Sequence, residues 1–510
     1  MASAIRKLSV LDAAFLFAET AECPMHVGSL TILKLPAGYA GDFFEDVKAR
    51  FAGRVHLAPS LRHKLAPAPF EIDRPSWVED ESFDIDRHVI RAVVPKPGDR
   101  ATLQRLVGWM HAMPLNRARP LWEVYVFDRL PDGEAAIYSK IHHAFIDGGA
   151  GAALTEIMYE RSATAAQDPP APPPAPAVDR HELRDLGPDV IAAYADLLGL
   201  RGGTRAHPAV NLPRIGRSDL GSVLVDAMID QVEWQLRVAG SAADIARALA
   251  ATLANALEPG VGNMLRQLSA PATPFNVTVS SERSFATVTL PLARVKALAG
   301  AAGGKVNDAV LALSAGMLRH YLLERDALPN ASLTAAVPIS ARDPGNADLN
   351  TQAFGMIVPL ATGIADPAAR LAAIIAESQR AKGFAEPLRP LVPLLADIPT
   401  FGTPMALELL ATFYSRSALA DVVPPPFNVV VSNVFFSKKP FFIAGAELIH
   451  VYPMSIVVHG QGLNITVQGY RDGLDFGLVA AANVVPHLGR MAARLTVELD
   501  ELERAVGVPA

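Results

Sequence analysis

Apolar and polar positions follow two different periods along the chain, and these periods predict strands and helices. Residues 121–127 and 136–141 are rich in the apolar, β-branched and aromatic side chains that are typical of strands. The Pro-Asp-Gly sequence at 131–133 lies between them, so the pair is predicted to form a hairpin. Residues 41–53 instead carry apolar side chains at helical spacing. The pattern therefore indicates a mixed α/β protein.

The same two periods continue through the rest of the chain. Ser9 precedes a predicted helix as its cap, and Asp366-Pro367 begins another with cap and proline in the preferred order. The segment 56–75 is rich in Pro, His and Arg and is predicted to be a loop. Further helices are predicted at 9–18, 101–112, 306–325 and 486–505. Further strands are predicted at 25–33, 285–290, 333–339, 353–361, 427–435, 440–449, 462–470 and 473–481.

The length of 510 residues exceeds what one compact core usually holds, so at least two domains are expected. Residues 169–176 consist only of proline and alanine and are predicted to be an extended, exposed linker. We therefore predict an N-terminal domain at 1–161, a linker or crossover at 162–215, and a C-terminal domain at 216–510.

Composition narrows the classes of function. Half of the residues are hydrophobic and the formal net charge is -6, so neither global disorder nor nucleic-acid binding is expected. No run of about 18 apolar residues predicts a spanning helix, and the N-terminus lacks the apolar core of a signal peptide. Residues 188–200 and 219–257 are predicted to be Ala- and Leu-rich helices that pack on a core or rest on a membrane surface, with core packing favoured. We expect a cytoplasmic protein, with peripheral membrane contact left open.

The strongest chemical pattern is His142-His143, followed by Asp147 and Gly148. Histidine exchanges a proton near neutral pH, so this pattern is a candidate for acid–base chemistry. Neighbouring side chains in a strand point to opposite faces, so the two imidazoles are expected to have different roles. An alternative interpretation makes one His a core residue and the other an exposed one, with Asp147 as a helix cap. As a set, the residues favour a catalytic site.

Two other kinds of chemistry are not expected. Metal binding by His142 and His143 would need both rings on one side and a third ligand at zinc-site spacing, and the sequence shows none. Cys23 is the single cysteine and lies far in sequence from every motif, so it is not predicted to be a nucleophile or to form an intramolecular disulfide. His26 is predicted to be structural.

The motifs together resemble the bacterial wax ester synthase/diacylglycerol acyltransferase family of the kind abundant in mycobacteria. The histidine stretch matches the family's HHxxxDG motif, which a wider superfamily of CoA-dependent acyltransferases and condensation domains shares. The narrower resemblance rests on further motifs in order: residues 8–12, 24–28, Pro120-Leu121-Trp122, Asn307-Asp308, 337–340, 432–434 and 462–465. It implies two chloramphenicol-acetyltransferase-like α/β domains with mixed sheets and a tunnel at their interface.

The resemblance also implies a reaction and a set of roles. His143 would be the general base that activates a lipid hydroxyl for attack on the thioester of acyl-CoA, which is a substrate, so no cofactor is expected. His142 would support it and Asp147 would brace the loop. Oxyanion donors are expected at Asn307 or in the Ser432-Asn433 region. The substrate-binding residues implied are Gly148, Asn307, Asp308, Ser432, Asn433 and Trp122, the last chiefly by packing.

Residues 435–439 depart from the family pattern, because Phe-Phe-Ser-Lys-Lys stands where members usually carry Pro-Gly. We expect this loop to shape an entrance for donor or acceptor. Diacylglycerol is the favoured acceptor, giving triacylglycerol. The alternatives are a long-chain fatty alcohol giving wax esters, another hydroxylated lipid, a lipid-binding paralogue with little turnover, and a condensation domain that forms amides.

Overall fold

The computed structural model describes residues 6–67, 74–145, 148–163, 270–340, 353–386, 417 and 419–508. Three predictions fall outside these ranges. They are the proline-rich linker beyond residue 163, the helices at 188–200 and 219–257, and the position of Asp147.

Fifteen strands run through the described residues. They are β1 Arg6–Lys7, β2 His26–Lys34, β3 His63–Ala66, β4 Ser76–Glu79, β5 Val89–Arg91, β6 Trp122–Leu130, β7 Glu134–His142, β8 Arg283–Pro291, β9 Thr334–Ser340, β10 Ala353–Pro359, β11 Val429–Ser437, β12 Phe442–Ile443, β13 Ala446–Met454, β14 Leu463–Tyr470 and β15 Gly473–Ala481.

The described α-helices are numbered in chain order. They are α1 Val10–Ala18, α2 Phe43–Arg54, α3 Arg100–Ala112, α4 Gly148–Met158, α5 Leu292–Ala301, α6 Val306–Leu323, α7 Pro367–Ala385 and α8 Leu488–Val506. Local chemistry accounts for where several of them begin. Ser9 caps α1 by accepting from the Asp12 N–H at 3.0 Å, and Asp366 caps α7 by accepting from the Ala369 N–H at 2.7 Å. Both predicted caps are confirmed.

The strands form two large sheets and one small sheet. The first sheet has the order β12-β13-β2-β7-β6-β5, and the second has the order β10-β9-β11-β14-β15-β8. The small sheet has the order β1-β4-β3. Strands β6 and β7 pair antiparallel, with Trp122 opposite Ile141, so the predicted hairpin is confirmed. In the second sheet, β11 runs parallel to β14 and to β9, so that sheet is mixed.

Strand β13 joins the two halves of the chain. It follows β11 of the second sheet in sequence, yet it pairs antiparallel with β2 in the first sheet, from Glu447 opposite Lys34 to Met454 opposite Gly28. Strand β12 lies beyond it at the same edge. The predicted contiguous C-terminal domain therefore needs a correction, because residues 442–454 belong to the first sheet. Apolar periodicity predicts a strand but not the distant edge on which it pairs.

The two sheets approach each other closely where β13 crosses the second sheet. A Cβ atom added to Gly477 of β15 would lie 1.7 Å from the carbonyl oxygen of Pro453. Helix α3 packs against β8 in the same manner, because a Cβ on Gly108 would lie 2.8 Å from the Arg283 carbonyl oxygen. Only residues without side chains permit such distances between backbones. The two halves are therefore in direct contact.

Two local predictions need correction. The segment 56–75 is not all loop, because β3 forms there and pairs antiparallel with β4. Its mixture of proline and charged residues hides the short strand. The predicted strand 440–449 is two strands, β12 and β13, separated by a turn in which Ala444 and Gly445 have positive φ. None of the helices in the described ranges combines the length and the hydropathy that a membrane span requires.

Candidate active site

A cavity of about 490 Å³ lies between the two large sheets. Its walls come from β2, β6, β7, β13 and α4 on one side and from β9, β11 and β14 on the other. The volume is within the usual range for a site that buries a small organic ligand. Much of the wall is apolar, and its polar residues are Ser29, Thr31, Ser139, His143, Thr155, Tyr159, Ser432, Asn433, Ser455, Thr466 and Gln468.

His143 contributes its imidazole to the cavity wall. It follows the last residue of β7, and its backbone N–H donates to the Met25 carbonyl at 2.8 Å. The ring stacks on Phe15 of α1, with centroids 4.0 Å apart and planes 17° apart. These contacts hold a half-buried imidazole at the surface that a ligand would touch. Helix α4 begins at Gly148, and its inner face continues the wall.

His142 points away from the cavity and is fully buried. Its Nδ1 accepts from the Ala144 N–H at 3.0 Å, so a neutral ring carries its proton on Nε2. That nitrogen lies 3.4 Å from Oε1 of Glu19. The predicted divergence of the two imidazoles is therefore confirmed, since only His143 reaches the cavity.

Glu19 is the acid that faces His142, and the sequence pattern did not single it out. Its side chain is 6% exposed and also accepts from the Met25 N–H at 3.0 Å and from the Arg117 guanidinium at 2.9 Å. Burial acts to raise the pKa of Glu19, but His142, the Met25 N–H and Arg117 outweigh it and lower the pKa to about 2. Glu19 is therefore an ionised group in the layer behind His143.

Trp122 lies in the cavity wall and is almost completely buried. Its indole N–H donates to the Leu61 carbonyl at 2.8 Å, and its ring stacks on His88 with centroids 4.4 Å apart. Burial lowers the pKa of His88, which opposes a charge on the ring beside Trp122. The indole therefore forms a fixed apolar surface of the cavity, which agrees with the predicted packing role.

Ser432 and Asn433 also line the cavity. They lie on β11, where Ser432 is opposite Thr466 of the neighbouring β14, and Thr466 lines the cavity as well. Ser432 and Asn433 of the second sheet thus border the same cavity as His143 of the first sheet, and strand alternation directs the Ser432 hydroxyl toward it. The structure brings together His143, Trp122, Ser432 and Asn433 from the predicted set.

Asn307 and Asp308 lie elsewhere, at the start of α6, and neither lines the cavity. The carboxylate of Asp308 accepts from the Lys305 N–H at 2.8 Å, which closes a capping box at the helix terminus. This hydrogen bond agrees with the interpretation of Asn307-Asp308 as part of a helix cap. Their substrate-binding role stays a prediction.

A second polar cluster lies behind β7. His26 of β2 is buried and contacts the His111 carbonyl at 2.7 Å, while Nδ1 of His111 lies 2.8 Å from the Tyr138 hydroxyl. Burial lowers the pKa of His111 to about 3 and holds that of His26 well below its ordinary value. Both rings are therefore neutral near pH 7. His26 does not line the cavity, in agreement with its predicted structural role.

One cluster in the described part of the chain has metal-like spacing, formed by His320, Glu498 and Glu501. Arg494 already lies among these groups, with its Nη2 2.7 Å from Glu501 and its Nε 2.8 Å from Glu498. A fixed guanidinium at the centre of the cluster opposes a cation there. These side chains instead join α6 to α8.

Comparison with known proteins identifies the family. Residues 8–310 match the wax ester synthase/diacylglycerol acyltransferase catalytic domain, and residues 351–503 match the C-terminal domain of the same family. A Mycobacterium tuberculosis H37Rv protein named "Probable diacyglycerol O-acyltransferase tgs2" is 36% identical over 498 residues, covering 98% of each chain. Another protein of that strain, also named for diacylglycerol O-acyltransferase activity, is 35% identical over 506 residues, covering 98% of this chain and all of the other.

Solved structures show the same architecture. The wax ester synthase/diacylglycerol acyltransferase from Marinobacter aquaeolei VT8 is 26% identical and matches with a TM-score of 0.64, covering 98% of this chain and 100% of that one. The first condensation domain of the calcium-dependent antibiotic synthetase matches with a TM-score of 0.53 at 16% identity, covering 100% of this chain and 98% of that one, and shows the shared fold alone.

Two mixed sheets, a cavity between them and an HHxxxDG histidine on its wall define a protein of the chloramphenicol-acetyltransferase-like class. Within that class, the chain belongs to the wax ester synthase/diacylglycerol acyltransferase family and is an acyltransferase. The predicted fold class and family are confirmed.

Proposed function

We propose that this protein transfers a long-chain acyl group from acyl-CoA to the free hydroxyl of diacylglycerol, with His143 as the general base. The observation that carries the proposal is the position of His143 in the wall of the apolar cavity between the sheets. Diacylglycerol is favoured over a fatty alcohol because the mycobacterial relatives with 35% and 36% identity are named for that acceptor.

The first step is removal of the hydroxyl proton. An alcohol attacks a thioester slowly until a base accepts its proton, and a neutral imidazole is suited to that role near pH 7. Phe15 fixes the plane of the His143 ring, and the Met25 carbonyl holds its backbone, so little ordering remains to be done when the hydroxyl arrives. The hydroxyl oxygen then bonds to the thioester carbon.

The second step is collapse of the tetrahedral oxyanion. Its negative charge needs nearby hydrogen-bond donors, and the Ser432 hydroxyl on the opposite wall is the candidate, with Asn433 next to it in β11. Collapse breaks the carbon–sulfur bond, and the imidazolium of His143 returns its proton to the CoA thiolate. This route uses acyl-CoA as a substrate and needs neither an acyl-enzyme nor a resident cofactor. Cys23 fits that scheme, because it is buried and burial raises the pKa of its thiol.

The decisive experiment is His143→Ala, assayed with radiolabelled hexadecanoyl-CoA and dioleoylglycerol. Loss of a general base lowers turnover by about 10²- to 10⁴-fold, and we expect that loss here. The folded state should be retained, because the ring is half-buried at a cavity surface. Near-normal triacylglycerol formation by the variant would refute the role of His143.

His142→Ala serves as the matched comparison, since it removes the same side chain one residue away. It leaves the Ala144 N–H without its acceptor, so the expected effect is a lower melting temperature together with a rate loss. A large rate loss at unchanged stability would instead place His142 in the chemistry.

An acceptor panel tests the choice of alcohol. We expect triacylglycerol from diacylglycerol to form with a higher kcat/KM than wax ester from hexadecanol, at one fixed acyl-CoA. The reverse order would identify a wax ester synthase. Formation of free fatty acid alone would support a paralogue with hydrolytic or vestigial activity.

A proposal about location follows from the substrates. Both lipid substrates partition into membranes and lipid bodies, so we propose transient contact of this protein with such surfaces. Co-sedimentation with diacylglycerol-containing vesicles tests it, and recovery of all protein in the supernatant would contradict it.

A further inference from the structure

Strand β11 contains an irregularity at the edge of the cavity. It pairs in register with β14 up to Phe435 opposite Gly469, and pairing resumes with Ser437 opposite Tyr470. Phe436 is the extra residue between these positions. Such bulges are uncommon between parallel strands, and this one lies at the end of β11, where its pairing with β14 stops.

The Phe436 ring forms part of the cavity wall, as do the alternate positions Val430, Ser432 and Val434 of the same strand. It is half-buried, with Phe441 at 5.1 Å and Tyr470 at 5.7 Å between ring centroids. The Tyr470 hydroxyl accepts from the Phe441 N–H at 3.0 Å and donates to the Leu448 carbonyl at 3.0 Å, so both neighbours are themselves fixed. The Phe436 ring therefore has a rigid support on the side away from the cavity.

The bulge is also tied to the helix that follows the histidine motif. Just beyond α4, Arg161 donates to the Ser437 hydroxyl at 2.9 Å and to the Lys439 carbonyl at 3.2 Å. Its guanidinium lies 3.7 Å from the centroid of the Phe441 ring. Glu160 and Phe442 exchange two backbone hydrogen bonds of 2.8 Å beside this contact. The segment that carries Phe436 is thus held from both the first and the second half of the chain.

The other residues of the cavity wall indicate what kind of ligand would contact the Phe436 ring. On the side of the first sheet the wall combines the apolar residues Trp122, Leu154 and Met158 with uncharged hydroxyl residues, which are Ser29, Thr31, Ser139 and Thr155. A hydrocarbon chain is the chemistry that such a surface accepts. Beside these residues, the Phe436 ring packs on Phe441 and Tyr470 and presents its other side to the cavity, where it would contact the end of a hydrocarbon chain.

We infer that Phe436 is a specificity-determining residue, which limits the length of the hydrocarbon chain that the cavity accepts. The inference rests on the proposed function, because it concerns a chain carried by one of its two lipid substrates. The energetic reason is steric. A supported aromatic ring cannot move aside, so a chain that reaches it must stop or fold back, and one methylene in an apolar pocket changes kcat/KM by about 10-fold or more.

The test compares wild type with Phe436→Ala and Phe436→Trp. One arm varies the donor from dodecanoyl- through hexadecanoyl- to icosanoyl-CoA with dioleoylglycerol fixed. The other arm fixes hexadecanoyl-CoA and varies the chains of the diacylglycerol. In one arm, Phe436→Ala should raise the kcat/KM ratio of the longest to the middle substrate by about 10-fold or more, and Phe436→Trp should lower it. The arm that responds identifies which substrate carries the chain.

The matched control is Phe44→Ala, which removes the same ring from the same apolar cluster at a position that does not line the cavity. Its length profile should equal that of wild type. Unchanged profiles in both arms for both Phe436 variants would overturn the inference. If Phe436→Ala does not fold, Phe436→Leu and Phe436→Trp provide the same comparison.

A binding measurement separates this inference from the proposed function. Isothermal titration of each protein with the acyl-CoA series and, separately, with the diacylglycerol series gives length profiles that need no turnover. A wild type that binds these ligands but transfers to no acceptor would refute the proposed function. A shifted binding profile in the variants would still support the role of Phe436, and an unshifted one in an inactive protein would refute it.

Discussion

At the scale of single residues, the adjacent side chains of His142 and His143 lie in two different environments. His142 ends β7 and faces buried Glu19, whereas His143 follows the strand and faces the cavity. The alternation of side chains along a strand predicted this divergence. It did not predict Glu19 or Phe15, because the contacts that reveal them join α1 to a strand more than a hundred residues later in the chain. A buried acid with no neighbouring motif has no recognisable sequence pattern.

Glu19 gives a prediction about acid stability. Its folded pKa of about 2 lies below the ordinary value of 4.5, so the stabilisation is fully present above pH 4.5 and is lost as the pH falls toward 2. A shift of this size corresponds to about 3 kcal/mol. Glu19→Gln should therefore be less stable than wild type near pH 7 and should lose less stability on acidification.

Urea unfolding followed by circular dichroism across this pH window measures the effect. Glu324→Gln is the matched control, because that carboxylate is 63% exposed. We expect the control to follow wild type. Parallel curves for Glu19→Gln and wild type between pH 4.5 and 2 would show that Glu19 does not carry the acid sensitivity.

At the scale of elements, most strands and helices agree with their predicted positions. Terminal helix α8 and strands β14 and β15 begin and end within two residues of the predictions. Periodicity succeeds there because each element buries one continuous apolar face. It fails at β3, whose four residues are all half-buried and so carry no contrast between an apolar and a polar face.

The crossing of β13 over β15 makes Gly477 indispensable. A methyl group at this position would lie 1.7 Å from the Pro453 carbonyl oxygen, a distance that only movement of the backbone could relieve. Gly477→Ala should therefore destabilise the fold by about 3 kcal/mol or more. Thermal unfolding of the purified variant, or loss of soluble expression, would show it.

Gly300→Ala is the control for that substitution. Gly300 lies in α5, and a Cβ there meets nothing within 4 Å. Alanine suits a helix better than glycine, so this variant should gain about 0.5–1 kcal/mol. Equal effects of the two substitutions, in sign and size, would contradict the close crossing.

At the scale of the whole molecule, the sequence predicted two related α/β halves with a cavity between them, and the comparisons confirm that class. The way the halves join was not predictable from periodicity. It depends on β13 pairing with β2, and on contacts such as the 2.8 Å hydrogen bond from Gln104 of α3 to Thr287 of β8. These contacts link residues far apart in the chain.

Because the halves share a sheet, we expect them to unfold together. Three of the four tryptophans, Trp77, Trp109 and Trp122, lie in the first half, so in a Trp234→Phe background their fluorescence reports on that half, whereas far-ultraviolet circular dichroism reports on both. The two denaturation curves should coincide in guanidinium chloride. A fluorescence transition that clearly precedes or follows the dichroism transition would indicate independent units.

The pairing of β13 with β2 also constrains how this protein can be recombined with its relatives. Joining the first half of one member to the second half of another within the predicted linker would bring a foreign β13 against the native β2. The boundary between the two parent sequences would then run through seven residue pairs of one sheet, from Glu447 to Met454. Functional hybrids should therefore arise when residues 442–454 are taken from the same family member as the N-terminal half, to which they are hydrogen-bonded.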